Sequence, residues 1–172
     1  MKRRWKIAVA VIAVATAAFP ALLLYGPERV WKRVGPADLG PVDFAALSRS
    51  TSPNDALAAT PGILPERLRP DFELPTYSVP PATVLATIEK RIEALGDEAE
   101  RVQAEGTALR YVTRSPTLRF PDTTVIEAIA MEQGTGVRAY ARATVGKSDF
   151  GANRARLERW LLDLPLAAGE RR

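Results

Sequence analysis

The chain has 172 residues, no cysteine and no histidine, and 24 basic against 20 acidic side chains. Without cysteine it has no disulfide frame, thiol nucleophile or thiolate metal site. Without histidine it lacks the commonest general base and metal ligand, which excludes Ser-His-Asp, Cys-His and zinc-hydrolase chemistry. The net charge of +4 equals the four cations Lys2, Arg3, Arg4 and Lys6 at the N-terminus. The rest of the chain is balanced, so no nucleic-acid partner is expected; with neither cysteine nor histidine and no metal-ligating cluster, no metal or other cofactor is expected either.

Those cations stand before an uncharged apolar run, Ile7–Tyr25. A run of about 20 apolar residues at 1.5 Å rise matches a hydrocarbon core of about 30 Å. The expectation is a single transmembrane helix within an anchor at residues 1–27, kinked at Pro20, followed by a juxtamembrane segment at 28–49. A cleaved signal peptide is the rival reading, with Ala15-Thr16-Ala17 as its small-x-small site. A buried soluble helix is a further alternative. Cationic flanks stay on the cytoplasmic side. The expected topology is therefore single-pass in the inner (plasma) membrane, with the N-terminus cytoplasmic and the domain periplasmic.

Nine of the 14 prolines fall between Pro36 and Pro81. Proline lacks the amide donor and pushes its predecessor to extended geometry, so this stretch reads as loop-rich rather than as a helix or central strand. Its apolar residues, Phe44, Leu57, Leu64, Phe72 and Tyr77 among them, argue for a strap laid on the domain; a flexible tether is the alternative. A core at 82–165 follows the strap proper at 50–81, and 166–172 is a tail. Val84, Leu85, Ile88, Ile92 and Leu95 recur at helical spacing after Pro80-Pro81 and before Gly96, which predicts a helix over Thr83–Leu95.

Arg101–Glu105 and Thr107–Arg114 read as strands joined at Gly106. Thr123–Glu132 suits a pleated surface. Gly134-Thr135-Gly136 turns into Val137–Val145, where small and apolar residues alternate with Arg138, Tyr140 and Arg142. The expected sheet has one covered face and one solvated face carrying Arg110, Arg114, Arg138, Tyr140 and Arg142. A final helix is capped by Ser148 or Asp149, with Phe150, Leu157, Trp160, Leu161 and Leu164 as its apolar stripe. Asn153 falls inside that stripe, an unusual place for an amide. The expected fold class is α+β: an antiparallel sheet of about four strands covered on one face by two helices, preceded by one transmembrane helix.

The segment Gly146-Lys147-Ser148-Asp149-Phe150-Gly151-Ala152-Asn153-Arg154, with Tyr140-Ala141-Arg142 before it and Arg156-Leu157-Glu158 after it, resembles the closing motif of domain of unknown function 1499. Arg119-Phe120-Pro121-Asp122 resembles the central Phe-Pro-Asp of that family, and Ser52-Pro53-Asn54-Asp55 its opening Pro-Asn segment. The resemblance covers about residues 50–165. Many members carry cysteine where this chain has Asp55, so no cysteine-based role transfers. The resemblance implies a fold and a location, with no activity attached.

The candidate polar cluster is Asp122, Arg142, Asp149, Asn153 and Arg154. In an architectural reading, Asp149 caps the last helix, Gly151 lets its first turn approach the sheet, Asn153 braces backbone, and Arg142 pairs with Asp149 or Asp122. Alternatively the cluster binds a small ligand or a lipid headgroup. A third reading makes Asp122 and Asp149 an acid–base pair. The expected function is a non-catalytic binding or scaffolding module in the cell envelope, with the membrane and a lipid or envelope protein as partners. A small-ligand or lipid carrier and a carboxylate enzyme are the alternatives.

Overall fold

The computed structural model describes Trp5, Ala18 and residues 20–167. A helical stretch at 20–25 passes through Gly26 into α1 (Pro27–Val34). There follow β1 (Asp55–Ala59), β2 (Phe72–Glu73), α2 (Pro81–Leu95), β3 (Ala99–Glu105), β4 (Ala108–Arg114), β5 (Pro121–Met131), β6 (Gly134–Ala143) and α3 (Ala152–Leu161). The strands form one six-stranded sheet in the order β2-β1-β6-β5-β4-β3. β3 to β6 are an antiparallel meander, β1 pairs antiparallel with β6, and β2 pairs parallel with β1.

Local chemistry accounts for these elements. Pro81 opens α2, where its missing amide costs nothing, and Gly96 closes it at φ 64°. β6 alternates strictly. Val137, Ala139 and Ala141 face α2 and α3, where they meet Ile88, Leu157 and Trp160 in the main core. Their small side chains let the helices lie close. Tyr140 faces the opposite way, into a second core with Val42, Phe44, Leu47, Leu57 and Leu68.

Several expectations are corrected here. The sheet has six strands and is mixed, because the proline-rich segment contributes β1 and β2. β1 is no loop: it lies between β6 and β2 and is buried from Ala56 to Ala59. The prolines at 53, 61 and 65 bracket it without entering it, so its amides remain free for the ladder. The sheet face expected to be solvated is covered by the strap. Arg142 Nη2 donates to the Leu39 and Gly40 carbonyls at 2.8 and 3.2 Å. Arg110 Nε donates to Asp38 at 3.1 Å, and the Arg138 guanidinium stacks 4.4 Å from the Phe44 ring centre.

The predicted anchor is corrected as well. Among the described residues no helix is long and apolar enough to cross a membrane. Residues 1–4, 6–17 and 19, on which most of the anchor expectation and its topology fall, lie outside the described residues.

The turn into β6 makes a sharp prediction. Gly134 has φ 129°, and a Cβ there would stand 2.3 Å from the Tyr77 carbonyl oxygen. That carbonyl accepts from the Thr135 amide at 2.7 Å and Thr135 O accepts from Tyr77 N at 2.9 Å, pinning the strap to β6. Gly134→Ala is expected to cost about 2 kcal/mol or more, read as a lowered urea midpoint. Gly106→Ala, where a Cβ meets nothing within 4 Å, costs less.

Candidate functional site

β6 ends at Ala143, and the chain loops through 144–151 before α3 begins. This loop is fastened to the segment ahead of β1. Ala143 N donates to Asn54 O at 2.9 Å, Asn54 Nδ2 donates to Gly146 O at 2.8 Å, and Asn153 Nδ2 donates to Asn54 O at 3.3 Å. Asp149 caps the first turn of α3. Its Oδ1 accepts from Gly151 N at 3.0 Å and its Oδ2 from Asn153 N at 2.9 Å. Gly151 sits at φ 82°, and a Cβ added to it would meet nothing within 4 Å. Its use is the left-handed turn, not the close approach to the sheet that the sequence suggested.

Asn153 is fully buried, and its Oδ1 accepts from Arg156 Nη1 at 2.6 Å. Arg156 Nη2 in turn donates to Asp122 Oδ2 at 3.0 Å. The side chains of this ion pair are 10% and 9% exposed. Burial raises the Asp122 carboxyl above its ordinary value; the Arg156 charge and hydrogen bond offset this only in part, and the charge of Asp149 adds to the rise.

Asp122 lines a cleft of about 510 Å³ bounded by the α2–β3 turn, the end of β4 and the first turns of α3. Arg114, Arg156 and Arg159 lie on it, as do Asp97 and Glu98. Most of these charges are committed elsewhere: Arg159 and the Trp160 indole donate to Asp97 Oδ2 at 2.8 and 2.7 Å, and Glu98 pairs with Arg119. Thr113 also lines the cleft. It is opposite Asp122 in the β4–β5 ladder, it is 3% exposed, and its hydroxyl has no hydrogen-bond partner. Among the described residues no donor reaches the second Asp122 oxygen, Oδ1. The floor thus holds a buried hydroxyl without a hydrogen-bond partner, paired in the ladder with a half-used carboxylate whose other oxygen binds a guanidinium. A buried polar group without a partner costs about 1–3 kcal/mol.

A second polar centre lies on the other side of the sheet. Asp55 Oδ1 accepts from Arg49 Nη2 at 2.7 Å, while its Oδ2 accepts from Tyr140 Oη at 2.6 Å and Ser50 N at 3.0 Å. Arg49 also donates to Asp71, whose Oδ2 accepts from Leu57 N at 2.7 Å. Burial works to raise the Asp55 carboxyl, but hydrogen bonds from Arg49, Tyr140 and the Ser50 amide outweigh it and hold the group below its ordinary value. Burial and the bond to Asp55 push the Tyr140 hydroxyl well up. The network forms one wall of a cleft of about 390 Å³ that Asp149, Gly151 and Arg154 also line. Its polar atoms are mutually satisfied, as in a structural clamp.

The structure therefore disperses the predicted cluster. Asp122 and Asn153 are joined, through Arg156. Asp149 caps α3 and lines the other cleft, so it does not form an acid–base pair with Asp122 across one cavity. Arg142 pairs with neither aspartate; it is on the strap face, its Nε buried without a partner. Arg154 points outward, bonded to Glu158 at 2.9 Å. Phe150, placed by the sequence in the apolar stripe of α3, is instead 97% exposed. Sequence reasoning missed Arg156 as the link and Thr113 as the free hydroxyl. The spacing offered a signal for the first, since Arg156 stands three residues after Asn153 and so shares its face. For Arg49 and Asp71 there was none; Asp55 stands in the opening Pro-Asn motif, but nothing there pointed to its partners.

The family model described as Protein of unknown function (DUF1499) matches residues 43–164. Nothing matches among curated proteins or among solved structures.

Proposed function

The chain belongs to the Protein of unknown function (DUF1499) family, and on that footing we propose that it is a non-catalytic binding module for a small polar ligand held in the cleft between the α2–β3 turn, the end of β4 and α3. The observation that carries this reading is the buried, unpartnered Thr113 hydroxyl beside the half-used Asp122 carboxylate. The cleft's volume lies within the range of small-molecule sites, about 300–1,000 Å³. Its charges balance, which favours a neutral ligand. Its free groups are one hydroxyl, which donates or accepts, and one carboxylate oxygen, which accepts. A molecule with adjacent hydroxyl or amide groups meets both.

Thr113→Val tests this at little structural cost, because it removes a hydroxyl that bonds nothing. Native mass spectrometry of gently purified wild type is expected to show a retained small molecule. The T113V variant is expected to lose it while its melting temperature in the ligand-free state stays unchanged or rises. Wild type that retains nothing, or a T113V variant that retains the same mass at the same occupancy, defeats the proposal.

A further inference from the structure

We propose that the end of the sheet carrying the 144–151 loop is a docking surface for an anionic lipid bilayer, with Phe150 as its inserting side chain. This inference is independent of the cleft.

Phe150 is 97% exposed and is held at φ 55°, a conformation seldom taken by a bulky residue. The loop enforces it. Phe150 N donates to Ser148 Oγ at 3.2 Å, Asp149 binds the amides on the far side, and Asp149 N reaches Pro53 O at 3.4 Å. A large aromatic is thus presented to solvent on a rigid loop, so little conformational freedom is lost when it is buried against something.

The topology brings other protrusions to the same end. β6 finishes here, as does β4, while β1 and β5 begin here. α1 lies across this end: Glu28 pairs with Arg119 at 2.9 Å, Trp31 stacks on Phe120 with ring centres 4.5 Å apart, and Gly35 abuts Thr144. Adjacent strands are spaced by about 4.8 Å, so the edge from β1 to β4 is roughly 14 Å wide. α1 and the stretch before it expose Leu24, at 88%, Leu23, Tyr25 and Val34. Between these apolar points stand the exposed cations Arg29, Lys32 and Arg33, with Lys147 in the Phe150 loop. The acids at this end are engaged in ion pairs or caps: Glu28 and Glu98 with Arg119, Glu100 with Arg114, and Asp149 with backbone amides.

Separate apolar points set among cations suit an anionic bilayer, whose surface attracts the charges and whose fluid interior receives each point without a matching pocket.

The absence of cysteine permits a direct test. Full-length F150C and Q133C, each labelled with nitrobenzoxadiazole, are mixed with vesicles of phosphatidylcholine with and without phosphatidylglycerol. Gln133 is exposed on the β5–β6 turn at the opposite end of the sheet. A blue shift and brightening at position 150, on phosphatidylglycerol vesicles and not at position 133, is the expected result, diminished by high salt. In unlabelled protein, F150A is expected to lower vesicle affinity by roughly tenfold, the order for withdrawing one large apolar side chain, with an unchanged melting temperature. Failure of the protein to bind the vesicles overturns the proposal. So does binding with position 150 left in water, or an equal response at both positions. Recovery of a protein partner that F150A releases, with position 150 silent towards vesicles, replaces the bilayer with that partner.

Discussion

Asp55→Ala is expected to destabilise the chain by about 3 kcal/mol, the lower end for removing one partner of a buried ion pair. The carboxylate is 4% exposed and accepts from three groups on two segments: Arg49 and Ser50 just ahead of β1, and Tyr140 in β6. Its loss leaves the Tyr140 hydroxyl buried without an acceptor, which alone costs about 1–3 kcal/mol. Arg49 keeps Asp71, at 2.9 Å, which limits the damage. Urea denaturation measures the change. An unaltered midpoint would mean that the network holds nothing together.

The same residue sets a pH dependence. The folded Asp55 pKa lies below the unfolded value of about 3.9. The stability it contributes is therefore complete above the unfolded value and is lost as the pH falls through the folded one. Asp55→Asn removes that part of the acid slope. Asp122 has the opposite sign. Its folded pKa is raised, so its contribution is present below the unfolded value and disappears as pH rises through the folded one. Acidification thus weakens the Asp55 clamp while relieving the burial of the Asp122 charge. Asp122→Asn is expected to make the chain more sensitive to acid than wild type, as unfolding followed by circular dichroism between neutral pH and the carboxylate range will show.

Arg156→Met is expected to cost about 3–5 kcal/mol, because it strands a buried carboxylate. Arg156 is the hub of the polar core, holding Asn153 Oδ1 at 2.6 Å and Asp122 Oδ2 at 3.0 Å. The informative comparison is the double variant Arg156→Met with Asp122→Leu. A buried pair replaced on both sides by apolar groups is often close to neutral, so the double variant is expected to recover most of the loss. A thermodynamic cycle built from the two singles and the double gives the coupling. A double variant as unstable as Arg156→Met alone would show that Asn153, now without its donor, is the group that matters. The R156M protein should also weaken as pH rises, since only its partner held the Asp122 charge in place.

Much of the meander and its helices was legible in the residue pattern. The alternation of Val137, Ala139 and Ala141 with Arg138, Tyr140 and Arg142 marks β6, and the spacing of Val84, Ile88 and Ile92 marks α2. Periodicity of this kind is local, so a single strand or turn reveals it. β1 was hidden because Asp55-Ala56-Leu57-Ala58-Ala59 is too short and too small to announce a strand among prolines. Its buried pattern reflects the strap closing over it on one side and the helices on the other. The cationic side chains of β4 and β6 looked solvated for a similar reason. Nothing in their own sequence reveals that carbonyls and a carboxylate at 38–40 arrive to meet them.

Length, the absence of cysteine and histidine, family membership, and the order and period of most core elements follow from the amino acids by themselves. Composition restricts the available chemistry, and side-chain spacing restricts which face is buried. Which polar groups share a cavity was decided only on folding. Asp122 meets Arg156 across 34 positions, and Asp55 meets Tyr140 across 85. Contacts of that reach leave no periodic trace, because they are set by sheet order and strap path. Phe150 shows the same division from the other side. Helical spacing assigns it to the core stripe, yet the helix begins only at Ala152, behind the Gly151 N-cap, and Phe150, at φ 55° in the turn before it, leaves its ring in solvent.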